Sequence, residues 1–119
     1  MKSGHSRDDL VWRALGSPVR RRILDALRDG ETSTGDLAAL FPDLSRYAVM
    51  QHLGVLVEAG LVLVRREGRV RWNALNAAPL QRAFERWVTP YQSVWAGRMT
   101  GIKRRAERLS RPADKKETG

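Results

Sequence analysis

A mainly α-helical domain carrying one small β-hairpin is the fold class this sequence predicts. Three observations predict it. Apolar residues recur at helical spacing through most of the chain, and Ser, Thr, Pro and Gly punctuation cuts that pattern into helix-length pieces. The period changes from 3.6 to 2 once, over residues 61–73. With 119 residues, 42% of them hydrophobic and 29% charged, the chain suits one compact domain with a small core.

Residues 1–7 are polar and read as a loose arm. Asp8 and Asp9 open a first short helix that runs to Leu15, since acids favour the positive end of the helix dipole, and Gly16 stops it. Ser17-Pro18 reads as the cap and first residue of a second helix. Its apolar positions are Val19, Ile23, Leu24, Ala26 and Leu27, and Gly30 ends it. Thr34 is expected to cap a third helix through Asp36, Leu37, Ala38, Leu40 and Phe41, closed by Pro42. Ser45 caps a fourth that buries Ala48, Val49, Leu53, Leu56 and Val57 on one side and ends at Gly60, a good left-handed residue. Residues 61–67 and 69–73 then form a two-stranded hairpin about Gly68. Pro79 marks a further helix, and Thr89-Pro90 kinks or re-caps it. A long apolar stripe runs through Phe84, Trp87, Val88, Tyr91, Trp95, Met99, Ile102, Ala106 and Leu109. Residues 110–119 read as a polar, basic, frayed tail.

The chain carries 22 Lys plus Arg against 13 Asp plus Glu, a formal net charge of +9, and 18 of the basic residues are Arg. Such a balance favours a polyanionic partner, and Arg presents the planar fork that suits phosphates and base edges. The excess is not spread evenly. Residues 1–44 carry seven basic and seven acidic side chains, whereas 45–72 carry five against two and 103–119 carry seven against three. The cluster from Lys103 to Lys116 reads equally as a solvated tail or as a second basic patch.

Several classes drop out. Without cysteine there is no disulfide framework, thiolate metal site or cysteine nucleophile. No apolar run approaches the length of a membrane span, and Met1 to Leu10 has no apolar signal region, so a soluble cytoplasmic protein is expected. The two histidines, His5 and His52, and the scattered carboxylates form no nucleophile elbow, phosphate loop or metal set. Neither an enzyme nor a cofactor or metal site is expected.

A short helix over 34–41, a turn over 42–44 and a second amphipathic helix over 45–59 make a helix-turn-helix. The apolar set leaves Arg46, Tyr47, Met50 and Gln51 on the other face, where Arg can take guanine or phosphate, Gln adenine, and Tyr or Met a thymine methyl. The hairpin that follows carries Arg65, Arg66, Arg69 and Arg71, a natural wing on phosphate or minor groove. A winged helix-turn-helix is thus expected over 8–77, with double-stranded DNA as partner. His52 beside this surface reads either as a phosphate donor or as a half-buried, hydrogen-bonded histidine.

The stretches LGSPVRRRILDALRDGE, LSRYAVMQHLGVLVEAGLVLVRREGRVRWNAL and PLQRAFERWVTPYQSVW resemble the ArsR-type winged helix-turn-helix transcriptional regulators of bacteria over residues 8–100. The most specific part is the spacing of Ser45, Val49, His52, Leu53, Leu56, Ala59, Gly60, Leu61 and Val62. The resemblance implies a homodimer, joined by its first and last helices, that binds an imperfect palindrome and represses transcription. Ser33 and Gly35 stand where the metal-sensing branch carries cysteines, and the last helix lacks that branch's paired histidines and acids. The resemblance is therefore to a branch without metal sites. Gly54 stands where the family often has Lys, which removes a phosphate contact and costs about 1 kcal/mol in helix propensity.

Dimerisation is expected through Leu10, Trp12, Phe84, Trp87, Val88, Tyr91, Trp95, Met99 and Ile102, because a core this small cannot cover the stripe. Trp87, Tyr91 and Trp95 could instead line a pocket for a small-molecule effector between subunits; a filled aromatic dimer core is the favoured reading. Arg20, Arg21 and Arg22 open a helix whose dipole repels them, so phosphate, a nearby acid, or the local Asp25 and Asp29 is expected to compensate. Two other function classes remain: a nonspecific architectural nucleic-acid binder driven by the tail, and a protein-interaction module using the aromatic stripe.

Overall fold

The computed structural model describes the backbone of residues 7–118 and the side chains of residues 7–109. The arm expected over 1–7 lies outside the described residues apart from Arg7. In order, the elements are α1 (Arg7–Leu15), α2 (Pro18–Leu27), β1 (Thr32–Ser33), α3 (Thr34–Ala39), α4 (Arg46–Glu58), β2 (Val62–Glu67), β3 (Val70–Leu75), α5 (Ala78–Trp87) and α6 (Thr89–Thr118). The chain divides inside α5 into one unit ending at Ala83 and another beginning at Phe84.

Serine begins three of the helices in the same way. The hydroxyl oxygens of Ser17, Ser33 and Ser45 accept hydrogen bonds from the backbone N–H of Arg20, Asp36 and Ala48, each three residues on. The cap of α3 is thus Ser33 and not the expected Thr34, which is buried as the first helical residue. At the end of α4, Gly60 takes φ +79, the Gly60 N–H donates to the Val57 carbonyl and the Leu61 N–H to the Leu56 carbonyl. This paired 5→2 and 6→1 arrangement needs a left-handed residue, and a Cβ there would also come within 3.3 Å of Pro79 Cγ.

The hairpin is part of a three-stranded antiparallel sheet in the order β1-β3-β2, where a two-stranded ribbon was expected. Thr32 pairs with Asn73 and Ser33 with Trp72, while β2 runs against β3 from Val62↔Leu75 to Glu67↔Val70. Asn73 explains why two residues suffice for β1. Its side chain is fully buried, and Nδ2 donates to the Thr32 carbonyl (3.1 Å) and to Thr34 Oγ1 (3.0 Å). One amide therefore ties the outer strand of the sheet to the start of α3.

The core of the first unit gathers Val11, Ile23, Leu24, Leu27, Leu37, Val49, Leu53, Leu56, Leu61 and Val62 from four helices, the turn after α4 and β2. Leu10, expected at a dimer interface, is half-buried and packs against this core. Val57, expected inside, is 38% exposed, and its neighbour Val55 is the partly buried one. In the second unit, Tyr91, Val94, Trp95, Met99, Ile102 and Leu109 of α6 are exposed by 45–77%. The break at Val88 matches the Thr89-Pro90 signal: the Val88 N–H closes α5 on the Phe84 carbonyl, and the Val88 carbonyl accepts from Tyr91 and Gln92. Backbone helix continues to Thr118, past the point where the sequence predicts fraying.

Asn73→Ala is expected to destabilise the first unit by about 2 kcal/mol, because it strands the Thr32 carbonyl and Thr34 hydroxyl and leaves a cavity. A urea titration checks it; the midpoint should fall at unchanged slope.

Candidate nucleic-acid interface

Rotation of α4 about its own axis decides which side chains can reach a ligand. Val49, Leu53 and Leu56 are at 0% exposure, which turns Tyr47 and Gln51 to solvent, while Arg46 is exposed at the open first turn of the helix. Tyr47 is 72% exposed. Met50 lies at the edge, half-buried, with its sulfur accepting from Arg71 Nη1 at 3.7 Å. Ser45 is engaged as the cap at the near end of this face.

Four wing arginines were expected to act alike, and the structure divides them. Arg66, Arg69 and Arg71 line one crevice with Arg46 and Met50, a volume of about 440 Å³ between the start of α4, the N-terminus of α3 and the wing. Arg65 stands apart. Its guanidinium donates to both carboxylate oxygens of Glu31, approaches Glu67 at 3.7 Å and lies over the Trp72 ring at 5.5 Å. The hydrogen bond holds the Glu31 carboxyl below its ordinary pKa and raises that of Arg65. Arg65 is thus internally neutralised.

His52 is half-buried, and Nδ1 lies 3.3 Å from Arg20 Nη1. Since Arg20 can only donate, Nδ1 is the acceptor and the ring proton sits on Nε2. Arg20 also donates from Nε to the Ala14 carbonyl (2.8 Å) and from Nη2 to the Arg13 carbonyl (3.1 Å), and Arg21 donates to the Leu15 carbonyl. Arg20 and Arg21 are therefore compensated by the carbonyl end of α1, and Arg22 by a nearby acid, Asp43, rather than by Asp25 and Asp29. Asp25 pairs with Arg28, and Arg22 pairs with Asp43 and lies over Phe41. Sequence reasoning missed Asn73 and Arg20 as organising residues; an Asn amid an alternating strand was the available signal for the first.

The dimer candidates fall on both units. Trp12 on α1 is 36% exposed, and Phe84, Trp87, Tyr91, Trp95, Met99 and Ile102 are exposed, with Val88 half-buried. Among the described residues, no group of three or more His, Cys, Asp or Glu is placed to hold a metal. No helix among them is long and apolar enough to cross a membrane.

An exposed helix face following a short bracing helix, flanked by a basic β-ribbon, defines a winged helix-turn-helix DNA-binding domain. The helix-turn-helix domain family matches residues 15–65. The transcriptional repressor SdpR of Bacillus subtilis is 35% identical over 78 residues, 66% of this chain and 84% of the repressor. The HTH-type transcriptional regulator Rv2034 of Mycobacterium tuberculosis is 37% identical over 99 residues, 83% of this chain and 88% of that protein. Among solved structures, an ArsR-like transcriptional regulator from Rhodococcus sp. RHA1 superposes with a TM-score of 0.64 at 30% identity, covering 84% of this chain and 92% of the other. The chain belongs to the ArsR-type winged helix-turn-helix transcriptional regulators.

Burial first, and then the Arg20 charge, hold the His52 imidazole below its ordinary pKa of 6.5. A base depressed on folding contributes stability that is fully present above the unfolded-state value and is lost as the pH falls below it. Unfolding free energy is therefore expected to drop as the pH falls through about 6.5 more steeply in the natural chain than in His52→Gln. Urea midpoints on either side of that pH measure the difference; parallel curves would refute it.

Proposed function

We propose that this chain is a homodimeric repressor that reads an imperfect palindrome. The observation that carries the DNA contact is the convergence of Arg46, Arg66, Arg69 and Arg71 beside the solvent-facing residues of α4. In this reading Arg46, Tyr47, Met50 and Gln51 meet base edges in the major groove, and Ser45 holds the leading turn of their helix. Arg66, Arg69 and Arg71 engage the backbone, Arg65 sets the wing's position through Glu31, and His52 has Nε2–H free to donate to a phosphate. The winged domain fills 8–77.

Pairing is supported by the apolar face of α6. Six large side chains there are at least 45% exposed, and covering each is worth on the order of 1–2 kcal/mol. Trp12, Phe84, Trp87, Val88, Tyr91, Trp95, Met99 and Ile102 form the interface in this reading, with Leu10 divided between interface and core, in dimerisation helices over 78–109. Two recognition helices related by a two-fold axis then meet half-sites about one helical turn apart. The repressing sign is supported by the similarity to SdpR, a transcriptional repressor, and the protein works in the cytoplasm, where its DNA is.

Selection of bound duplexes from a random pool should recover an inverted repeat; a pool with no preferred sequence would instead make the chain an architectural binder. Arg46→Ala is expected to relax base preference at one position by about 1–3 kcal/mol. Arg69→Ala should weaken all sequences alike and flatten the salt dependence by about one unit, whereas Arg65→Ala leaves that slope unchanged. Binding isotherms at several salt concentrations separate the three. Sedimentation should give twice the mass of one chain, and Trp95→Glu should shift it to the monomer and weaken duplex binding.

A further inference from the structure

Within the arginine crevice, Arg71 is a half-buried cation without an adequate partner. Its Nε is shielded from solvent and has no hydrogen-bond acceptor, and Nη1 reaches only a thioether sulfur. Burial, then the neighbouring Arg66, lower its pKa from the usual arginine value. Leaving a buried guanidinium unpaired and beside another cation is costly, and such positions mark places where something else completes the pairing. The contrast with the rest of the domain is internal to the chain: Arg22, Arg28 and Arg65 face carboxylates, and Arg20 and Arg21 face carbonyls. No carboxylate lines the crevice that holds Arg46, Arg66, Arg69 and Arg71. Arg66, Arg69 and Arg71, with Arg46 beside them at the base-reading edge, call for an anion with several charges on closely spaced oxygens, which a lone carboxylate does not supply and a phosphoryl group does.

We propose that this crevice is a discrete phosphoryl-anion site centred on Arg71, filled by one backbone phosphate in the DNA complex and by a free inorganic di- or triphosphate in its absence. Soluble polyphosphate and DNA then compete for the same guanidiniums, which makes the site a point where an anionic effector releases the operator. The DNA half of this inference rests on the function proposed above; the free-anion half does not.

Calorimetric titration of the full chain with inorganic triphosphate tests it, alongside anisotropy binding to a duplex selected as above. One triphosphate per chain is expected. Arg71→Gln and the exposed turn variant Arg69→Gln should each weaken it at least fivefold, and Arg98→Gln on α6 should leave it unchanged. Triphosphate should also displace the duplex from the natural chain, and much less effectively from Arg69→Gln. The inference is overturned if triphosphate does not bind, or if Arg98→Gln weakens it as much as the crevice variants do. Duplex binding that persists alongside such a result leaves the DNA reading standing. Crevice-dependent triphosphate binding by a chain that binds no duplex has the opposite meaning: the site holds and the DNA reading falls.

Discussion

Burial of Val49, Leu53 and Leu56 is the constraint on which the rest of the interface depends. These three residues lie on one stripe of α4, and successive helical residues are separated by about 100°, so fixing the stripe fixes every other side chain on the helix. A rotation by one residue would carry Gln51 toward the core and expose a leucine. The Ser45 cap and the Gly60 turn fix the two ends of the same helix. Apolar packing therefore determines the angle at which polar groups are offered, although it contributes nothing to recognition itself.

A second tie sets the wing against that helix. Asn73 joins β3 to Thr32 and Thr34, and the Glu31–Arg65 pair anchors β2 to the residue just before β1. Both ties draw the wing toward the segment that leads into α3, the bracing helix. The wing is thus positioned from its base by a buried amide and from its strand by an ion pair stacked on Trp72. Exposed ion pairs are worth little individually. The amide makes two donor bonds away from water, although its Oδ1 is left without a partner.

Most of the helical architecture was legible because caps and apolar periods are local signals. Ser17-Pro18, Ser45 and Gly60 each act within three or four residues of themselves, so no tertiary knowledge is needed to place them. What was not legible depends on neighbours distant in the chain. β1 is two residues long, too short to show a period, and exists because Asn73 is there to bind it. Thr34 reads as the cap in sequence, but its partnership with Asn73 buries it, and Ser33 takes the role. Val57 sits at the margin of the apolar stripe, where helical spacing alone does not say which of Val55 and Val57 turns inward. The same limit applies to the site. That arginines clustered near α4 was plain, but that Arg65 is neutralised while Arg71 is not requires knowing where Glu31 lies.

A net charge counts cations without saying which are available, and here the difference is large. Arg20 and Arg21 serve the carbonyl end of α1, while Arg22, Arg28 and Arg65 are matched to carboxylates, so much of the positive charge in the winged unit goes into holding it together. The remaining guanidiniums at the crevice carry an electrostatic cost in the free protein that an aspartate in place of Gly35 or Ser33 would relieve. Such a residue would stabilise the unliganded fold and close the site to anions by the same stroke. A stability-optimised sequence would contain it; this one does not, which is the pattern expected where binding and folding compete for the same charges.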